Sequence, residues 1–127
     1  MIIKRDGSLT TGTALNPNNV WAGSAFEYLR GQSFVSLGIV TPAAVASAGL
    51  LTAFYIGNAL IAEEFTVPAI DPAVFGIDSP SLANNMFIQA AGNGGDRLVN
   101  TLRNPTAGTV KYSAVVQIVP SGGGRRG

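Results

Sequence analysis

The longest regular alternation in the chain runs from Thr109 to Val119. There Val110, Tyr112, Ala114, Val116 and Ile118 interleave with Lys111, Ser113, Val115, Gln117 and Val119. Period two over such a length predicts a strand with one face on a core, and Pro120, which has no N–H to donate, predicts its end. A second apolar region, Gly31 to Ala62, contains no charged side chain. Inside it, Ser33 to Val40 places Val35, Leu37 and Ile39 on one strand face and Phe34, Ser36, Gly38 and Val40 on the other. Gly49 to Val67 reads as two strands around Gly57-Asn58, a turn whose leading glycine suits the type II′ geometry of hairpins. Leu51, Ala53 and Tyr55 share one face, and Thr52, Phe54 and Ile56 the other. Both faces are fairly apolar, so this hairpin is expected to be covered on both sides. Its second arm, Leu60 to Val67, is closed by Pro68.

The remaining elements are shorter. Phe26 to Arg30 reads as an edge strand ending at Gly31, Asn85 to Ala90 as a strand with Met86 and Ile88 inward, and Arg97 to Arg103 as another strand. Residues 68–84, with Pro68, Pro72 and Pro80, predict an extended connection pinned to the core by Phe75 and Ile77. Gly92 to Asp96 predicts a hairpin-type loop, and Asn104 to Gly108 a turn. No internal repeat is visible.

The sum is seven or eight short strands joined by Gly, Pro and Asn turns. It predicts an all-β, antiparallel β-sandwich of jelly-roll or other Greek-key type. Residues 20–120 form the sandwich domain in this reading. Residues 1–19 form an N-terminal arm, flexible or ordered on a partner, and residues 121–127 a flexible Gly/Arg tail.

Thr41 to Ala62 is also long enough for a membrane-spanning helix. A buried helix capped by Thr41, with Pro42 in its first turn, is another option. Against a span stand Pro42, Gly49, Gly57, Asn58 and the flanks, with Arg30 before and Glu63-Glu64 after, so no basic cluster marks one side. Buried β-structure is the expectation, with at most a helical turn at Pro42 to Ser47, and no membrane partner.

Composition sharpens this picture. Charged residues make up 12% of 127, the net charge is +1, and glycine and proline number 16 and 7. A small domain with so few charges resists self-association poorly, so self-assembly follows. Cysteine and histidine are absent, which removes disulfides, thiolate metal sites and every His-dependent nucleophile arrangement. The opening Met1-Ile-Ile-Lys-Arg-Asp-Gly7 lacks an apolar core with a cleavage site, so no signal peptide is expected.

Candidate chemistry is sparse. Gly92-Asn-Gly-Gly-Asp96 lacks the Gly-Lys-Ser/Thr ending of a phosphate loop, and a strand rather than a helix is predicted to follow. Glu63 and Glu64, as strand neighbours, point to opposite faces and do not flank one bond as paired glycosidase carboxylates do. Asp71 and Asp78 match no calcium loop. No catalytic, cofactor-binding or metal-ligating residue emerges; neither an enzyme, a cofactor nor a small-molecule substrate is expected. Lys4, Arg5, Arg125 and Arg126 offer weak nucleic-acid contact at most, because two short basic pairs neutralise few phosphates.

Asn100 to Val119 looks like the closing hairpin of many β-sandwich proteins. Together with Ala59-Leu-Ile-Ala-Glu-Glu-Phe-Thr-Val-Pro68 and the lack of Cys and His, the chain over residues 20–119 resembles small virion proteins of bacteriophages. These include capsid decoration (cement) proteins and minor or single-jelly-roll capsid proteins. The resemblance implies a structural virion protein, assembled in the host cytoplasm, that forms a trimer or higher homo-oligomer and stabilises a capsid against the major capsid protein, without catalysis. The alternative is a carbohydrate- or receptor-binding β-sandwich module, such as a fibre or spike component, with Trp21 in an exposed aromatic platform.

Overall fold

The computed structural model describes residues 2–10, 12–16, 18–24, 27–42, 49–70, 80, 88–106 and 108–120. Eight strands are present among them: β1 (Ile2–Leu9), β2 (Ser33–Pro42), β3 (Leu51–Ile56), β4 (Ala59–Thr66), β5 (Ala69–Ile70), β6 (Ile88–Gly92), β7 (Leu98–Arg103) and β8 (Val110–Pro120). One sheet has the order β1-β8-β2, with β6 and the two-residue β5 both pairing with β2. The other has the order β4-β3-β7. All pairings are antiparallel except the short contact of Thr41 and Pro42 with Ala69 and Ile70. Among the described residues no helix is long and apolar enough to cross a membrane. Thr41 and Pro42 are the last two residues of β2.

The free edge of β7 is occupied by the described residues of segment 12–29, which act as a further, irregular strand. The Leu15 amide donates to the Leu102 carbonyl at 2.9 Å, Val20 to Asn100 at 2.9 Å, and Leu98 to Glu27 at 2.7 Å. Isolated bridges join Ala14 to Arg103 and Tyr28 to Arg97. With this segment included, the chain visits the two sheets in the succession of a jelly roll: β1, segment 12–29 on the opposite sheet, β2 back on the first, β3 and β4 opposite, β6 back, β7 opposite, β8 back. The expected antiparallel sandwich is therefore the observed one.

Three expectations are corrected by the pairing. Within the span read as an arm, 1–19, residues Ile2–Leu9 pair with β8 along their whole length, from Ile2 opposite Gln117 to Leu9 opposite Val110. The alternation Ile3, Arg5, Gly7, Leu9 was too poor in large apolar side chains to announce this strand, which is held by its ladder. Residues 27–30 do not form the edge strand expected over 26–30 but follow β7 through single bonds. Finally, neither Gly92–Asp96 nor Asn104–Gly108 closes a hairpin, because β6 and β8 belong to one sheet and β7 to the other. Both are arches that cross the sandwich. The Phe26, Met86, Phe75 and Ile77 positions, the 43–47 part of the expected helical turn, most of the 68–84 connection and the 121–127 tail lie outside the described residues.

The core lies between the inner faces. Val35, Leu37 and Ile39 of β2 and Ala114, Val116 and Ile118 of β8 meet Phe54 and Ile56 of β3 and Leu98 and Leu102 of β7, with Trp21 enclosed in the same cluster. Enclosing each such side chain contributes about 1.5–3 kcal/mol, so this layer supplies most of the driving force for the fold. The central hairpin divides unevenly. Thr52 and Ala53 are buried on opposite faces of β3, as expected, whereas β4 is an edge strand with several exposed positions.

Candidate functional site

The outer face of the β1-β8-β2 sheet carries an apolar patch. Phe34, Val119 and Ile2 are 58%, 47% and 57% exposed. Phe34 on β2 and Val119 on β8 are direct cross-strand partners. Ile2 is opposite Gln117, two positions along β8 from Val119 and so on the same face. Neighbours of this kind stand about 4.5–5.5 Å apart directly and about 7–8 Å apart on the diagonal, which makes the three side chains one surface. Ala91 of β6, opposite Phe34, extends it. Around Phe34 and Val119 the face carries Gln117, Ser36 and Gln89, which are polar and uncharged, while Lys4, paired with Asp6, stands beside Ile2 at its margin. The same alternation that sends Val35, Ile118 and Ile3 into the core turns these residues outward. Further along the same sheet face, Val40 and Val115 are buried, so the open patch is confined to one end.

Among the described residues, the candidates do not come together into a reactive group. Glu64 is engaged by Arg103 through two contacts, Nε to Oε2 at 2.7 Å and Nη2 to Oε1 at 2.6 Å. This exposed pair spans β3 from β4 to β7, and the guanidinium holds the Glu64 carboxyl below the usual carboxylate range. Glu63 is exposed beside it. In the Gly92–Asp96 loop, Asp96 turns its own carboxylate onto the Asn93 amide at 2.9 Å, filling the turn with a negative group where a phosphate cradle needs free donors.

Lys4 and Arg5 are separated by the strand that carries them. Lys4 faces outward and pairs with Asp6 at 3.1 Å, while Arg5 shares the inner side of β1 with Ile3 and Gly7. They do not make one basic patch. Arg125, Arg126, Asp71 and Asp78 lie outside the described residues. Trp21 is completely enclosed, which removes it from any exposed aromatic platform.

Sequence reasoning missed the buried asparagines. Asn19 donates to the Leu98 carbonyl at 2.8 Å and accepts from the Asn100 amide at 3.0 Å, so its side-chain amide stands in for a strand residue beside β7. Asn18 accepts from the Leu102 amide at 2.9 Å. Asn100, in the core, donates to Thr52 Oγ1 at 2.5 Å and to the Ala53 carbonyl at 3.1 Å. Asn16-Pro17-Asn18-Asn19 reads locally as turn chemistry; only the proximity of β7 gives the Asn18 and Asn19 side chains their partners. Comparison with protein-family models, with curated proteins and with solved structures gives no match.

Proposed function

We propose that this chain is a structural subunit of a viral particle, a decoration or minor capsid protein that associates with copies of itself and with a larger shell protein. It acts by burying surface and not by catalysis. The observation that supports this most is the Ile2–Phe34–Val119 patch on one open end of a jelly-roll sheet. Large apolar side chains grouped on one exposed face, with charges only at its margin, are the usual composition of an interface centre. The low charge of the chain points the same way, since little repulsion opposes contact between copies. A standard interface takes about 800 Å² from each partner, roughly one eighth of the 6316 Å² accessible here. A patch-centred contact and a second contact to a shell protein therefore both fit on one small domain.

Sedimentation velocity and mass photometry at micromolar concentration test the association. Trimers or higher species are expected, and Phe34→Glu is expected to release monomer with an unchanged fold. A wild-type chain that stays monomeric into the hundred-micromolar range removes the reading. The viral setting is tested separately by the genes beside the coding sequence: terminase, portal or tail genes support it, and their absence speaks for another assembly.

A further inference from the structure

A second feature lies on the opposite, inner side of β1. A cleft of about 230 Å³ opens where the edge of the first sheet faces segment 12–29, lined by Arg5, Asp6, Leu15, Asn16, Asn19, Val20, Ala22 and Tyr112. Its walls at Leu15, Val20 and Ala22 are apolar. Its polar groups differ in what they are free to do. Asn19 is committed to β7. The Asp6 carboxylate accepts from Ser113 Oγ at 2.6 Å and pairs with Lys4, both away from the inner side. Arg5, by contrast, has neither an ion pair nor a hydrogen bond from its side chain among the described residues.

Tyr112 reaches the cleft because of a glycine. Gly7 is its register partner on β1, and a Cβ at Gly7 would sit 2.7 Å from the Tyr112 hydroxyl and 2.9 Å from the ring carbon bearing it. The bare backbone at Gly7 is the bed across which the ring lies, with its hydroxyl toward the β1 edge. Burial pushes the Tyr112 pKa up, so the group remains a neutral donor at physiological pH.

We propose that this cleft binds a small organic carboxylate, with the Arg5 guanidinium as counter-ion and the Tyr112 hydroxyl and Asn16 amide as further donors. The planar fork of an arginine matches a carboxylate with two parallel bonds. A single cation balances one negative charge and leaves a phosphate dianion undercompensated. The apolar walls suit a short carbon stem. At about 30 Å³ per liquid water, the cleft holds the volume of seven or eight waters, which is smaller than drug-sized pockets of about 300–1,000 Å³. This inference is independent of the assembly reading, because the Ile2–Phe34–Val119 patch faces the other way.

A rival account exists for Arg5. An inward charge on an edge strand discourages pairing with the edge of another molecule. Titration of the ¹⁵N-labelled chain with sodium acetate, against acetamide and sodium chloride at equal concentration, separates the two. Saturable shifts at the Arg5 side-chain N–H and at the Asn16 and Ala22 amides are expected with acetate alone. Arg5→Met is expected to abolish saturation, and Tyr112→Phe to weaken it about threefold to tenfold, the effect of one hydrogen bond. An amide spectrum otherwise unchanged in both variants shows that the fold is kept. Shifts that do not saturate, that acetamide or chloride reproduce, or that survive Arg5→Met overturn the proposal. So does an Arg5→Met variant whose only change is in oligomeric state.

Discussion

Two short connections in this protein look alike along the chain and behave oppositely in space. Ile56 and Ala59 are register partners across Gly57-Asn58, so β3 turns back on itself within one sheet. Arg103 and Val110, joined through Asn104–Thr109, lie in different sheets. The hairpin turn is sustained by its own ladder and needs only a residue that accepts its backbone angle, which Gly57 does at φ 61°. The arch has no ladder between its arms, so its polar groups take partners from elsewhere. The Asn104 side chain donates to the Leu9 and Gly108 carbonyls at 2.8 Å each and accepts from the Thr106 amide at 2.9 Å. Its backbone amide donates to Thr13, and its carbonyl accepts from Gly12. The other arch follows the same rule: Leu29 donates to Asp96, and Gly95 to Leu29. A turn within a sheet is locally satisfied, and a crossing between sheets depends on a third segment.

That contrast can be broken at several strengths. The largest effect is expected from Phe54→Ala, which empties the core side of the hairpin's first strand. Loss of a wholly buried aromatic costs about 3–5 kcal/mol, read as a shift in the urea midpoint. Next comes Asn104→Ala, at about 2–3 kcal/mol, because a buried backbone group left unpaired costs about 1–3 kcal/mol. Asn104→Asp would turn a carboxylate oxygen onto the Leu9 and Gly108 carbonyls in a buried site, so it is expected to cost at least as much as Asn104→Ala; equality with wild type would mean that these contacts contribute nothing. Gly57→Ala is smaller, about 1–2 kcal/mol. It forces a side chain into the left-handed region, and its Cβ meets Asp96 Oδ1 at 3.0 Å. A larger loss for Gly57→Ala than for Asn104→Ala would reverse the comparison.

The smallest effect is a pH dependence at the second arch. Glu27 accepts from the Gly23 amide at 2.9 Å and pairs with Arg97 at 2.7 Å. The amide first, and then the guanidinium, hold its carboxyl below the ordinary value, against an opposing contribution from burial. A carboxylate with a lowered folded-state pKa contributes stability above the unfolded value of about 4.3, and that contribution disappears as pH falls through the folded value. Glu27→Gln is thus expected to be less stable than wild type at pH 7, with the gap closing below about pH 4. A gap that is constant with pH would assign the effect to packing.

The same contrast explains what was legible beforehand. The strands Ser33–Val40, Leu51–Ile56 and Thr109–Val119 were visible because period two with bulky residues is a local property, and the grouping of Val35, Leu37 and Ile39 on one face is the observed one. The exposed patch at Phe34 and Val119 was implicit in that alternation, but its unity depends on β2 and β8 being neighbours, far apart in sequence. The cleft at Arg5 was invisible, since it requires β1 to pair with β8 and residues 12–29 to line β7.

What the amino-acid order determined alone is therefore the class of element: apolar alternation within the strands, and glycine, proline and asparagine at the breaks. Which strands pair, and which turns are arches, was decided by tertiary structure. Local pattern records only which face of a strand is apolar, whereas closing two sheets over Trp21 and Phe54 selects the partner that buries it.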